Sequence, residues 1–140
     1  MIRKIDHIGI AVVDLEAATA FFRDVLGLPF EGFEDMPGRH LKVAVFDLAG
    51  VRLELLQPTS PEAAIVPFLE KTGGGLHHLA LEVDDAAAEL ARLAAAGVGL
   101  IDREPRTGAA GAKIAFLAPR STFKVLVELC QKNDPTGPGR

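Results

Sequence analysis

One cysteine, Cys130, occurs in 140 residues, so no disulfide can form within the chain. Four histidines beside that single thiol do not make a zinc finger of the usual spacing. Basic residues number 15 against 19 acidic ones, for a net charge of −4, and they are scattered rather than clustered, which argues against a nucleic-acid partner. No apolar run approaches the roughly 20 residues that a membrane-spanning helix needs. The start, MIRKIDHIGIAV, has neither a long apolar core nor a cleavage-type site, which predicts no signal peptide and a cytoplasmic protein. What remains is ordinary globular material, 49% hydrophobic and 24% charged. The polar tail, 133–140, contains proline and glycine and is expected to be flexible.

A repeat is present. IDHIGIAVVD (5–14) aligns without a gap on LHHLALEVDD (76–85), placing His7 on His78 and Asp14 on Asp85 at an offset of 71. At that offset KVAVFDL from Lys42 meets KIAFLAP from Lys113, and LELLQ (53–57) meets KVLVE (124–128). Agreement of several segments on one offset is the mark of a duplicated unit. Each copy opens with a strand-like run, then an aspartate able to cap a helix, then helical spacing of apolar residues, stopping at Gly27 or Gly97. Three short strands are predicted after each helix, near 28–34, 41–48 and 51–57, and near 98–103, 112–118 and 123–130. The expected fold is α+β: two tandem βαβββ modules, 4–58 and 76–131, pairing into a U-shaped mixed-sheet cleft within a single domain, 1–132. A linker helix is expected over 60–75, started by Ser60-Pro61 and followed by a glycine hinge.

The offset singles out four polar residues. His78, not its neighbour His77, matches His7, and Gln57 matches Glu128. Each module then offers one polar side chain early in its first strand and one late in its last. Two imidazoles, an amide oxygen and a carboxylate make a divalent-metal site without thiolate, suited to Co²⁺, Mn²⁺, Ni²⁺, Zn²⁺ or Fe²⁺, with positions left open for substrate. Strand alternation supports this: His7, Gly9 and Ala11 share one face, and Ile8, Ile10 and Val12 the other. Glu128 lies in a very apolar strand, VLVELC, where an acid needs a partner. His77 is read as a structural neighbour of the site, a place near the surface being the alternative.

The segments KIDHIGIAV, ELLQP, GGGLHHLALEVDD, EPRTGAAGAKIAFLAPRS and VLVELCQ span nearly the whole chain. Through them the sequence resembles the vicinal-oxygen-chelate (glyoxalase/bleomycin-resistance) superfamily and, within it, the methylmalonyl-CoA epimerase family. The resemblance implies His7, Gln57, His78 and Glu128 as metal ligands, Co²⁺ foremost among the ions, a homodimer, and an acyl-CoA substrate. The reaction implied is interconversion of (R)- and (S)-methylmalonyl-CoA. An α-proton is removed and returned beside a metal-stabilised enolate, with Glu128 in one acid/base role.

The second acid/base is open. Val43 stands where some family members have glutamate; His40, Glu31, Glu34 and a water are alternatives, and Glu54 is set aside for its strand parity relative to Gln57. Backbone amides around Gly111, with Lys113, are candidates to meet anionic substrate oxygens, and Arg120 and Ser121 to meet phosphate. A plain turn is the alternative in each case. The chain departs from its relatives at Ala118 and at Phe123-Lys124, where they commonly have a histidine and a glycine pair, in a loop expected to contact CoA. Competing readings are a glyoxalase-I-type isomerase acting on glutathione hemithioacetals and a non-catalytic small-ligand-binding protein of the same scaffold.

Overall fold

The computed structural model describes residues 1–133, so the tail expected to be flexible lies, from residue 134 onward, outside the described residues. The first half of the chain forms strand β1 (Ile2–Ala11), helix α1 (Leu15–Ala20), a π-helical turn (Phe21–Val25), and strands β2 (Phe30–Met36), β3 (Leu41–Leu48) and β4 (Val51–Pro58). Helix α2 (Val66–Thr72) leads to strand β5 (Gly75–Val83), helix α3 (Ala86–Ala95), and strands β6 (Arg106–Thr107), β7 (Lys113–Phe116) and β8 (Val127–Gln131). The β-α-β-β-β order is therefore present twice, in a mixed α+β fold. Among the described residues the eight strands follow the order β2-β3-β4-β1-β5-β8-β7-β6. The chain divides into two compact units, Asp6–His78 and Met1–Ile5 with Leu79 onward. No helix among the described residues is long and apolar enough to cross a membrane.

In the Asp6–His78 unit, Asp14 sits in extended backbone and its side chain accepts from the Ala17 N–H at 3.1 Å, so α1 starts where an N-cap aspartate predicts. The alternation of β1 then decides the two faces of the sheet. Ile10 and Val12 pack with Leu15, Ala18 and Phe22 against Ala44, Phe46 and Leu55, beneath α1. Ala11 faces the other way, with Leu41, Val43, Val45 and Leu56, and is covered by Ile65, Phe68 and Leu69 of the α2 segment. That helix begins later than expected. Residues 61–65 form turns, and α2 starts at Val66 with Pro67 in its first turn, where a missing N–H costs nothing. The predicted hinge is a defined stop: Gly73 ends α2 at φ +77°, and Gly75 opens β5 at φ +123°.

In the other unit, Asp85 caps α3 through the Ala88 N–H at 3.0 Å. Val83, Ala86 and Leu90 pack with Ala115, Leu117, Val127 and Leu129 beneath that helix. The strand expected over 98–103 is reduced to a single bridge, Leu100 to Leu117. The strand expected from residue 123 starts at Val127, because Phe123 and Lys124 both adopt left-handed backbone, φ 58° and 73°.

This late start corrects the repeat. Gly9 pairs with Glu54 between parallel β1 and β4, and Ala80 with Glu128 between parallel β5 and β8. Gly9 and Ala80 are 71 apart, but Glu54 and Glu128 are 74 apart. The longer connection between β7 and β8 inserts three residues, so LELLQ (53–57) is equivalent to VELCQ (127–131), not to KVLVE. Gln57 and Gln131 are the equivalent pair, and both do the same job. The Gln57 amide oxygen accepts from the Leu15 N–H at 2.7 Å, and that of Gln131 from the Ala86 N–H at 2.9 Å. Each satisfies a first-turn donor of the helix that follows its partner strand.

Replacing Gln57 by Ala should therefore lower stability by about 1 kcal/mol, the usual worth of a helix cap, while divalent-ion affinity stays unchanged. Urea denaturation and calorimetric titration with Co²⁺ check the two halves; an affinity loss would restore Gln57 as a ligand.

Candidate metal centre

His7 occupies the middle of β1 and His78 an early position in β5, and both are buried. Their Nε2 atoms lie 3.0 Å apart and their rings meet edge-on, at 87°. The closeness depends on Gly9: a Cβ built there would stand 2.2 Å from His78 Cε1, so any side chain would expel the imidazole. The Asp6 carboxylate, fully buried, reaches His7 Nδ1 at 2.7 Å. An ionised carboxylate only accepts, so the hydrogen in this contact sits on His7 Nδ1. His78 Nδ1 is 3.0 Å from Nδ1 of His77.

Glu128 joins through the register of β5. Ala80 is its partner, and His78 lies two residues back on the same side of that strand. One ligand atom each of His7, His78 and Glu128 falls within 4.8 Å of the others. Gln57 is not among the residues on this face. By register it follows Leu56, the partner of Ala11, so it points to the helix side with Val12 and is engaged by the α1 amide. Glu54, set aside on parity, is the residue on the His7 face: its Oε1 is 3.9 Å from His7 Nε2. Glu54 and Gln57 do lie on opposite faces of β4, but it is Gln57 that points away from the histidines. Arg52 holds Glu54 Oε2 at 3.3 Å and lies 3.7 Å from Asp6 Oδ2.

The sequence profile of the Glyoxalase/Bleomycin resistance protein/Dioxygenase superfamily matches residues 6–116. The chain belongs to this superfamily. Similar to this member are the uncharacterized protein YqjC of Bacillus subtilis, 45% identical over 91% of each chain, and the ethylmalonyl-CoA/methylmalonyl-CoA epimerase of Cereibacter sphaeroides. The latter is 40% identical over 94% of this chain and 99% of that one. Among solved structures, a methylmalonyl-CoA epimerase in complex with methylmalonyl-CoA and NH4⁺ superimposes with a TM-score of 0.87. It is 33% identical, over 99% of this chain and all of the other. The characterised proteins among these are epimerases, that is, isomerases.

The residues of this superfamily member fit a divalent ion. Two imidazoles whose Nε2 atoms lie 3.0 Å apart group with a buried carboxylate, one ligand atom of each within 4.8 Å of the others, the borderline donor set of Co²⁺, Ni²⁺, Zn²⁺ or Fe²⁺. Burial, and then the charges of His7, His77 and Arg39, push the His78 imidazole down to about 3, so it stays neutral and able to donate its lone pair. Burial and Arg39 lower His77 as well.

The expected substrate contacts fall in two loops. Gly111 takes φ +75° in the turn before β7, beside Asn133, and Lys113 opens β7 in register with Gln131. Ser121 Oγ accepts from the Gly99 N–H at 2.7 Å, and the Arg120 guanidinium packs against Gly99, where a Cβ would meet it at 2.6 Å. Arg120 and Ser121 thus brace two loops on each other. Val43 is buried among Leu41, Val45 and Leu56 and can carry no proton. Sequence reasoning missed Asp6, Arg52 and Glu54. Glu54 was detectable, because LELLQ shares three residues with VELCQ and only one with KVLVE.

Gly9→Ala should abolish high-affinity Co²⁺ binding, measured by titration, since nothing else frees the space that His78 fills. In metal-free protein His78 is depressed from 6.5 to about 3. The folded form then binds fewer protons than the unfolded one between these values. Stability is full above about pH 6.5 and falls as pH drops toward 3, by at most about 1.4 kcal/mol per pH unit for this group. Urea midpoints across pH 7.5 to 4.5 should show that fall; a flat profile would contradict it.

Proposed function

We propose that this protein is a divalent-metal-dependent epimerase that interconverts the (R) and (S) forms of methylmalonyl-CoA, with Co²⁺ the first ion to test. The observation that carries the reading is the grouping of His7, His78 and Glu128; the likeness to epimerases over nearly the full chain supports it. The substrate's α-carbon lies between a thioester and a carboxylate, so removing its proton makes an enolate. A bound divalent ion would supply Lewis-acid stabilisation of that charge.

The chain's own residues do the rest. His7 and His78 would hold the ion through their imidazoles. Glu128 takes the α-proton at its carboxylate, in a strand whose neighbours Phe116, Ile114 and Cys130 are apolar and keep bulk water away. Inversion needs a second proton carrier, and Val43 cannot be it. We assign that role to Glu54, the repeat equivalent of Glu128, whose carboxylate Arg52 holds in place. A pair of equivalent carboxylates suits a reaction whose substrate and product are near mirror images at one carbon.

Co²⁺-loaded protein incubated with methylmalonyl-CoA in D₂O should exchange the α-proton rapidly, followed by NMR. Glu128→Gln should slow exchange about 10²–10⁴-fold, and Glu54→Gln should spare exchange of one enantiomer while blocking inversion. No exchange above a protein-free control, with the ion shown to be bound, would overturn the reading and direct attention to glutathione hemithioacetals.

A further inference from the structure

We infer that Asp6 and His77 are positioning residues that fix the tautomers of the two histidine ligands, each acting on the histidine that follows it in sequence. The inference rests on the metal-binding reading above but not on the choice of substrate. Asp6 and His77 are related by the same offset of 71 that relates His7 to His78, so the duplicated unit places a polar residue before each ligand. Both reach the same atom of their neighbour: Asp6 Oδ2 is 2.7 Å from His7 Nδ1, and His77 Nδ1 is 3.0 Å from His78 Nδ1.

Strand geometry explains why the preceding residue is used. Successive side chains leave a strand on opposite faces, so Asp6 and His77 do not compete for the ion. Nδ1 is the ring nitrogen nearer the backbone, and a side chain one residue away can reach it while Nε2 points forward. Which nitrogen carries the proton is decided by the hydrogen bond that the other makes. With His7 donating to Asp6 and His78 donating to His77, both Nε2 lone pairs face one another at 3.0 Å.

Each positioning residue is itself held. Asp6 is fully buried, and the Arg52 guanidinium approaches the same oxygen that His7 uses, at 3.7 Å. The His77 ring stands edge-on to Phe68, at 5.1 Å between centroids, and to His78 at 5.2 Å. The two partners are not chemically equal. A carboxylate makes its imidazole a more basic ligand than a neutral ring does, so His7 is the stronger donor and His78 the weaker one.

The test uses Zn²⁺ as the probe, so its outcome is independent of whether methylmalonyl-CoA is turned over. In the wild-type Zn²⁺ complex, long-range ¹H–¹⁵N NMR should show both ligand rings protonated at Nδ1 and bound through Nε2. Asp6→Ala and His77→Phe should each weaken Zn²⁺ affinity about 10–100-fold by calorimetry. Asp6→Asn and His77→Gln, which keep an acceptor, should recover much of that loss. His77→Phe preserves the ring contact with Phe68, so it stays informative if Asp6→Ala fails to fold. Either wild-type ring bound through Nδ1, or unchanged affinity in His77→Phe with unchanged circular dichroism, would overturn the assignment. A wild-type protein that binds no divalent ion would overturn the metal reading and this assignment together.

Discussion

The approach of the His7 and His78 Nε2 atoms to 3.0 Å is the contact on which the rest of the site depends. Several features of the chain permit it. Gly9 leaves out the one side chain that would occupy the space of the His78 ring. Burial keeps His78 uncharged, which prevents the repulsion of two imidazolium groups. Asp6 beneath His7 directs that ring's proton away from the meeting point.

Duplication supplies the second ordering principle. Each copy ends in a strand carrying glutamate and, three residues later, glutamine. Odd spacing sends the two side chains to opposite faces. Glu54 and Glu128 thereby go to the face of the histidines, while Gln57 and Gln131 go to the helix side and satisfy an otherwise partnerless amide. One short segment thus serves the chemistry on one side and helix capping on the other. The site and the scaffold are built from the same five residues.

Much of this was legible before any coordinates. The two aspartate caps, the alternation of β1, the two histidines and the acid in VLVEL all follow from local pattern and arrive where periodicity puts them. What failed was a distance across a loop. The offset of 71 holds through β1, α1 and β3, then becomes 74 at the last strand. Hairpin connections vary in length without disturbing the strands they join, so a gapless alignment is least secure just past a turn. The three extra residues are absorbed around Phe123 and Lys124, whose left-handed backbone a propensity argument reads as strand. Choosing Gln57 over Glu54 followed from that single slip. Asp6 and Arg52 escaped for another reason: their importance lies in what they touch, and one sequence carries no sign of contact.

The glutamate–glutamine spacing also bears on how the sheet finds its alignment. A strand with polar groups on one face only can slide by two residues and still match its hydrophobic pattern. β4 cannot do so without cost. A shift in either direction would strand the Gln57 amide away from the α1 terminus and carry Arg52 off Asp6 and Glu54 off His7, and β8 is pinned through Gln131 in the same way. The two teeth of each key fit their lock at one setting. Misaligned pairings are therefore penalised, and the geometry required for chemistry is chosen by a contact that takes no part in it.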